Sequence, residues 1–442
     1  MILYTRLFTT QQTNLLNNLN NIVKKAAAMV ITFAAAFSFF SCSPTSERNN
    51  PIVIWTDNEE LASYVELFNA THDTQAVIIY KKEAIRALPP AKDEQIPDLV
   101  IASALKTENV RKYFSPLEFI FGESKLTRDA FYSKLLEYGK VKGTQYLLPV
   151  SFNLPTMVFS KNNASYITDD HIIMLEDIKT ASEKFNSKNE AGTTYLTMGY
   201  APSWDENFLY NITKLKGASY KEDEKVFSYD ENALQQVIQY CKNWTTSENE
   251  STATEQNFQF KYLYMHKFNQ LSTDKCLFAY MPSNEFFTQN QNESSAKSFR
   301  WLSDGEHIMV EDNIVSLGLY KKARHPQKAK IFMQWLFSKN TQKQLIERMK
   351  KMNLTTPQFG IVGGFSSIKE VNDTIFPIYY RELLENLPME NYLSVPNSLP
   401  ARWDSIKSRI IIPYLIESID TRDAHEVKTL EQRIDTWTKQ AF

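Results

Sequence analysis

A short polar stretch after the first apolar run of the chain is the clearest candidate for chemistry. The run 52–55 is followed by Thr56, Asp57 and Asn58. A carboxylate and a carboxamide can bind a ligand through directional hydrogen bonds. Open α/β sheets bind ligands outside the carboxyl ends of their strands, so this stretch predicts a binding site. Asp57 also precedes Glu60 by three residues, the spacing of a capping box, and local helix capping is the alternative role.

The sequence lacks the motifs of common enzymes. It contains no His-Glu-x-x-His, Gly-x-Ser-x-Gly or Cys-x-x-Cys pattern, and the Gly363-Gly364 pair is not part of a phosphate-binding loop. The one acid–histidine cluster, 169–171, is typical of a solvated turn. We therefore predict no catalysis, no metal and no cofactor. Glycosidase carboxylates need not be adjacent in sequence, so a secreted glycan hydrolase stays an alternative.

The elements that would position Asp57 are predicted by hydrophobic patterning. The apolar runs 52–55, 76–80 and 99–102 are continuous, as in strands that are buried on both faces. An amphipathic stretch at 61–68 lies between the first two runs. This order predicts a βαβ unit and a parallel sheet with right-handed crossovers.

Composition limits the classes of partner. The chain has 442 residues with 43% hydrophobic content, enough for two or three domains. Its formal net charge is −2 with both signs well mixed, so a nucleic-acid partner is not expected. It has only 11 glycines, which argues against nucleotide-binding loops.

The amino terminus is typical of a targeting segment. The stretch 26–41 is uncharged, mostly apolar and too short for a spanning helix. It ends at Ser41-Cys42, which resembles a bacterial lipobox. We predict a signal peptide at 1–41, lipidation of Cys42 and a lipid-anchored tether at 42–50; an uncleaved membrane anchor is the alternative. Cys241 and Cys276 are predicted to be small buried residues, although an exported chain permits a disulfide.

Five segments, taken in order, resemble a known family. They are the strand that ends at Trp55 with its polar turn and helix, Pro97-Asp98-Leu99-Val100, 146–161, 276–281, and 316–336. In this order they are similar to the family 1 extracellular solute-binding proteins, the receptors of ABC importers, and to the sugar-binding branch in particular.

The resemblance implies a fold. We expect an α/β architecture of the type II periplasmic-binding-protein class, with two lobes, mostly parallel central sheets and crossover strands. One crossing is expected at 146–159 and the return near 308–316. The N-terminal lobe would hold 51–152 plus 309–347, and the C-terminal lobe would hold 153–308 plus 348–442.

The resemblance also places the binding cleft at loops that follow the strands. Planar apolar side chains would stack on sugar rings, and polar groups would bind the hydroxyls. The stretch 55–58 is expected to face the loop 202–207 across the cleft. The residues expected to bind ligand are Asp57, Asn58, Ser103, Ser151, Asn153, Trp204, Asp205, Asn207, Asn284, Glu285, Phe365, Arg402 and Trp403.

The implied function is that of a monomeric, lipid-anchored receptor facing the periplasm or the exterior. It would bind a small polar ligand, with a mono- or oligosaccharide favoured, and deliver it to the transmembrane subunits of an ABC permease after hinge closure. A surface lipoprotein with a sensory or adhesive role on the same fold is the alternative.

Overall fold

The computed structural model describes residues 50–122, 126–224, 226–290, 296–351, 358–422 and 427–441. The elements below all belong to one unit that begins at Pro51. The signal peptide predicted at 1–41, the lipidation candidate Cys42 and the tether up to residue 49 lie outside the described residues.

The strands are numbered along the chain. They are β1 (Ile52–Thr56), β2 (Ala76–Tyr80), β3 (Leu99–Ala102), β4 (Lys140–Val141), β5 (Thr144–Gln145), β6 (Leu147–Phe152), β7 (Pro155–Ser160), β8 (Ile172–Ile173), β9 (Ser187–Lys188), β10 (Tyr195–Thr197), β11 (Lys221–Asp223), β12 (Val226–Ser228), β13 (Phe278–Pro282), β14 (Lys297–Leu302), β15 (Ile308–Met309), β16 (Val315–Leu319), β17 (Phe365–Ser366) and β18 (Leu393–Ser394).

The α-helices are numbered in the same way. They are α1 (Leu61–Thr71), α2 (Val110–Tyr113), α3 (Phe119–Gly122), α4 (Ser133–Tyr138), α5 (Leu175–Phe185), α6 (Glu206–Leu215), α7 (Glu231–Glu248), α8 (Thr252–Lys261), α9 (Lys267–Ser272), α10 (Ser283–Asn290), α11 (Pro326–Leu336), α12 (Lys339–Lys351), α13 (Lys369–Thr374), α14 (Phe376–Tyr379), α15 (Trp403–Ile406), α16 (Ile412–Ile419) and α17 (Leu430–Ala441).

The first sheet contains six strands in the order β17-β6-β16-β3-β1-β2. β1 runs parallel to both β2 and β3, which confirms the βαβ unit predicted from the apolar runs. All of β3 is buried because elements cover both of its faces. Helix α1 turns Leu61, Val65 and Phe68 into the core beneath this sheet, as its 3,4 spacing predicts.

The second sheet has the order β13-β7-β14-β8. β7 is antiparallel to β13 and β14, whereas β8 runs parallel to β14. Helices α5, α6, α7 and α16 contribute to the core on one of its faces. Cys241 on α7 and Cys276 before β13 are buried free thiols, which confirms the interpretation of both as small core residues.

Both sheets are mixed, whereas the resemblance implied mostly parallel ones. In the first sheet β16 is antiparallel to β3 and β6, and β17 is antiparallel to β6. The reason is the path of the chain. β6 leaves the first sheet at the edge where β1 and β3 end, and β16 re-enters at the same edge and therefore runs in the opposite direction.

In the described part of the chain, three stretches pass between the lobe built on the first sheet and the lobe built on the second; the last two involve the separate two-stranded sheet β15-β18. Asn153 and Leu154 join β6 to β7, and residues 310–314 join β15 to β16. A third connection follows α14 and reaches β18, which pairs with β15.

The strand Phe365–Ser366 extends the first sheet, whereas the resemblance assigned all of 348–442 to the second lobe. The two-residue strand β17 pairs with the edge of β6, which the sequence pattern alone did not indicate.

An aromatic cluster packs the two sheets together. Phe287 on α10 stacks on Phe359 with ring centroids 4.7 Å apart. Trp301 on β14 lies edge-on to Phe365 on β17 at 5.8 Å. Phe365 has no exposed surface and also contacts Phe376 at 5.7 Å. Aromatic rings bury large areas, so this cluster is a major source of cohesion between the lobes.

Candidate ligand-binding cleft

A cavity of about 720 Å³ lies between the two sheets, at the carboxyl ends of β1 and β3. The crossings and the loop before β17 complete its walls. Its lining is rich in carboxamides, hydroxyls and carboxylates, and it consists of Asp57, Asn58, Lys82, Ser103, Asn153, Pro282, Asn284, Glu285, Thr288, Gln289, Asn313, Val315, Gln358, Phe359, Val362 and Gly363.

Asp57 and Ser103 form the first polar pair of the cleft. The Asp57 carboxylate accepts hydrogen bonds from the Ser103 amide at 3.0 Å and from the Ser103 hydroxyl at 2.5 Å. The alternative role of Asp57, as a helix cap, is not found, because α1 begins after Glu60 without a side-chain cap. Burial raises the pKa of Asp57, the bonds from Ser103 partly offset this effect, and the charge of Asp404 adds to it.

Asn58 is held in place by the turn that follows β1. Its backbone amide donates to the Thr56 hydroxyl at 3.0 Å, and its side-chain oxygen accepts from the backbone amide of Glu60 at 2.9 Å. Such Asx-type turns are the usual local use of asparagine. The side-chain oxygen therefore serves the turn, while the residue lines the cavity.

Asn153 lies on the first crossing and bonds to both lobes. Its Nδ2 donates to the Gly363 carbonyl at 2.9 Å, and its Oδ1 accepts from the Ser283 hydroxyl at 2.8 Å. Its backbone carbonyl accepts from the Glu311 amide on the return crossing at 2.9 Å. The residue thus joins both crossings, the cleft loop and helix α10 at one point.

The second wall is the amino-terminal part of α10. Asn284 and Glu285 both line the cavity, and ligand binding by them stays a prediction. Gln289, one turn later, donates to the Glu285 carboxylate at 3.1 Å. Asn284 Oδ1 and Gln289 Oε1 are buried oxygens without a hydrogen-bond partner among the described residues. Buried acceptors without partners are costly, so this part of α10 is not fully satisfied by its neighbours in the protein.

The loop 202–207 does not lie opposite Asp57. Trp204 stacks on Phe258 with centroids 5.6 Å apart and lines a separate cavity of about 60 Å³. Asp205 caps α6 by accepting from the amides of Asn207 and Phe208 at 3.0 and 3.1 Å. The pairing expected between 55–58 and this loop is therefore wrong: the segment that faces Asp57 is the start of α10.

Two further candidates are structural. Ser151 is buried on β6 and donates to the Val362 carbonyl at 3.2 Å. Phe365 belongs to the aromatic cluster between the sheets and has no exposed surface that could stack on a ligand. Ser151 was expected in the cleft from its place on the crossing strand, and Phe365 from its place after Gly363-Gly364.

Trp403 lies at a narrow extension of the cleft of about 50 Å³, which shares Ser103 and Asn313 with the main cavity. Its Nε1 donates to Asp312 at 2.8 Å, and its side chain is 3% exposed. Arg402 precedes α15 and offers its carbonyl to the amides of Ser405 and Ile406. The ring of Trp403 packs on its neighbours in the protein.

Several lining residues were missed by sequence reasoning. Lys82 comes two positions after β2, so the rule that placed Asp57 would also have found it. Gln289 lies four residues after Glu285 on one helical face. Asn313, Gln358 and Val362 precede strands rather than follow them, and the sequence carried no signal for them.

We expect Asn153→Ala to lower the free energy of unfolding by about 1.5–3 kcal/mol, because it removes two side-chain hydrogen bonds and leaves buried partners unsatisfied. Urea denaturation would measure the change. Asn163→Ala is the matched control, since its bond to Asp274 is exposed. Equal stability of the two variants would contradict the role of Asn153 as the junction of the lobes.

The geometry defines a class of protein: two mixed α/β lobes, three connections and a polar cleft between them are the architecture of a two-lobed binding protein. A family model described as bacterial extracellular solute-binding protein matches residues 48–357. The chain belongs to this family of binding proteins, which confirms the resemblance found in the sequence. No protein in the curated collection matches the chain by sequence.

Solved structures share the fold. The sugar-binding protein MalE from Xanthomonas citri has a TM-score of 0.64 at 11% identity, with 89% of this chain and 98% of that chain covered. An ABC substrate-binding protein from Listeria monocytogenes, in complex with cycloalternan, gives 0.57 at 11% identity over 88% and 98%. The galacto-N-biose-/lacto-N-biose I-binding protein from Bifidobacterium longum gives 0.56 at 13% identity over 89% and 96%.

Proposed function

We propose that this solute-binding protein is the receptor of an ABC importer and that it binds a small saccharide in the cleft. The observation that carries the proposal is the cavity lining itself, in which carboxamides and hydroxyls from both sides of the cleft face one space. A polyol offers many hydroxyl donors to such acceptors at little electrostatic cost.

The class of ligand is also supported by the proteins that share the fold. The structures similar to this chain include ones solved with lacto-N-biose, with cycloalternan and with mannotriose. The cavity of about 720 Å³ lies within the usual size range of small-ligand pockets. We infer a mono- or oligosaccharide as the ligand, bound mainly through hydrogen bonds.

The proposed mechanism is closure of the two lobes on the ligand. Asp57 and Ser103 come from the first sheet, and Asn284, Glu285 and Gln289 come from the helix that follows β13. A ligand that bonds to both groups stabilises the closed arrangement over the open one by its differential contacts. The closed form would then deliver the ligand to the permease subunits.

The proposal also covers the boundaries of the two lobes and the attachment of the receptor to the membrane. We propose 51–152 plus 309–347 as the N-terminal lobe, joined by the segment around β17, and 153–308 plus the remaining C-terminal part as the second. We further propose that Cys42 is lipidated and holds a monomeric receptor at the membrane surface. Among the described residues, no helix is long and apolar enough to cross a bilayer.

A thermal-shift screen of the purified protein against a saccharide panel would test the proposal. We expect at least one saccharide to raise Tm in a concentration-dependent way, because ligands that bind the native state stabilise it. The absence of stabilisation by any saccharide would overturn the proposal and favour a sensory or adhesive role. Release of cleaved saccharide during incubation would instead favour a glycan hydrolase.

We expect Asn284→Ala to lower the affinity for the saccharide found in that screen about tenfold, the loss of one well-placed hydrogen bond. The stability of the ligand-free protein should stay within about 0.5 kcal/mol or increase, because the removed oxygen has no partner. Isothermal titration and urea denaturation would measure the two effects.

Trp204→Phe is the matched control for that experiment. Its indole donates to the Glu255 carbonyl at 3.2 Å in the separate cavity, so its loss should change stability and leave affinity unchanged. A tenfold loss of affinity in Trp204→Phe with none in Asn284→Ala would contradict the assignment of the second wall to α10.

A further inference from the structure

The loop that carries Val362 and Gly363 into the cleft has an unusual backbone. Val362 and Gly363 have φ angles of +47° and +69°, and Gly360 has +65°. The left-handed region is costly for a β-branched residue such as valine. The loop must therefore be held in this shape by bonds from outside.

One of these bonds comes from helix α1. The Val362 amide donates to the Tyr64 hydroxyl at 3.0 Å, and the Tyr64 hydroxyl donates to Glu60 Oε1 at 2.7 Å. The Val362 amide can only donate, so the phenolic oxygen accepts there while its proton is directed to Glu60. Glu60 is thus fixed as the acceptor at the end of a directed chain of two hydrogen bonds.

Glu60 contacts both the turn that holds Asn58 and, through Tyr64, the cleft loop 360–364. Its backbone amide donates to Asn58 Oδ1 at 2.9 Å, and its side chain reaches the cleft loop through Tyr64. The second carboxylate oxygen, Oε2, is buried without a hydrogen-bond partner among the described residues. Burial favours the neutral form of such a carboxyl over the charged form.

The groups that act on the charge of Glu60 are few. Burial raises the pKa of Glu60 to about 7, while the Tyr64 hydroxyl and the Gly363 amide lower it in part. Tyr380, whose hydroxyl accepts from the Gly360 amide at 2.9 Å, is near enough to raise the pKa of Tyr64 as well. Burial, first of all, and the charge of Glu60 raise the pKa of Tyr64, so Tyr64 stays protonated.

We propose that Glu60 is a positioning residue of the cleft, which holds the loop 360–364 through Tyr64 and releases it more easily when it ionises. The inference rests on the proposed function, because the positioned loop lines the ligand cavity. Local opening exposes Glu60 to water, where its pKa returns to the ordinary 4.5. Ionisation therefore favours the open loop by linkage as pH rises through neutrality.

The test is amide hydrogen exchange of the ligand-free full chain, followed at Val362 and expressed relative to the intrinsic exchange rate at each pH. Between pH 5.5 and 8.5 we expect the protection of wild-type Val362 to fall on the order of tenfold, which follows from the linkage of opening to ionisation. In Glu60→Gln the amide oxygen still accepts from Tyr64, so protection should be retained and independent of pH.

Two more variants make the outcome decisive. Tyr64→Phe removes the acceptor of the Val362 amide, so its protection should be low at both pH values. Glu66→Gln, an exposed glutamate on the same helix paired with Arg348, should behave like the wild type. Identical pH profiles in wild type and Glu60→Gln would overturn the proposal. Since no ligand is used, failure of the saccharide screen would leave this result intact, and the reverse also holds.

Discussion

Replacing Asp312 by alanine is expected to lower the free energy of unfolding by about 3–5 kcal/mol, since breaking a buried ion pair leaves an uncompensated charge. Asp312 accepts from Lys214 Nζ at 2.7 Å, from the Tyr210 hydroxyl at 2.6 Å and from Trp403 Nε1 at 2.8 Å. The side chains of Lys214 and Asp312 are only 6% and 9% exposed. Urea denaturation at pH 7 would measure the loss.

The matched control is Glu370→Ala. Glu370 pairs with Lys339, and their side chains are 64% and 38% exposed, so the expected loss is below about 1 kcal/mol. Equal losses in the two variants would show that the pair at the return crossing contributes no more than a surface pair. Asp312→Asn should lie between them, because the amide oxygen retains part of the acceptor role.

The pH dependence of the same site follows from its charges. Burial alone would raise the pKa of Asp312, but Lys214, Lys407 and the hydrogen bonds outweigh it and lower the pKa below the ordinary 3.8. The folded pKa is depressed, so this stabilisation is complete above about pH 4 and is lost as pH falls further. Asp312→Ala should therefore differ from wild type less at pH 3 than at pH 7.

Phe365→Ala is expected to destabilise the protein by about 3–5 kcal/mol, the usual cost of truncating a buried phenylalanine. The ring has no exposed surface and contacts Phe152, Trp301, Phe359 and Phe376 at 4.9–5.8 Å between centroids. Thermal and urea unfolding would measure the effect. Stacking on a ligand, the role expected from sequence, predicts the opposite result: unchanged stability and lost affinity.

Phe260→Ala controls for the loss of a phenyl ring as such. Phe260 lies on α8 and is 74% exposed. Its removal should therefore change the free energy of unfolding by less than about 0.5 kcal/mol. A similar loss in both variants would mean that the aromatic cluster between the sheets is poorly packed.

The first half of the fold was accessible from sequence because its signals are local. The apolar runs became β1, β2 and β3, and the amphipathic stretch became α1, each within a few residues of prediction. The direction of β16 was not accessible, because it depends on where the chain returns from the second lobe. β17 was missed for a related reason: two residues carry no periodicity.

The cleft was predicted where a general rule of sheets applies. Asp57, Asn58, Ser103, Asn284 and Glu285 follow strands, and all five line the cavity. A polar residue in a loop before a helix can also be a helix cap. Asp205 was expected in the cleft, but its carboxylate caps α6. Burial of an aromatic ring depends on distant partners, so sequence alone could not tell the packed Trp204 and Phe365 from exposed rings.

The aromatic cluster beside the crossings has a kinetic consequence. Phe359 lines the cleft and stacks on Phe287 of α10, so under the proposed lobe closure we expect the lobes to stay in contact at this end. We expect groups close to this contact, such as Asn153, to keep their relative positions and to form a pre-organised docking point for the first encounter. The exposed Lys82 and the distant end of α10 travel farthest, and we expect their contacts to set the rate of ligand escape rather than the rate of capture.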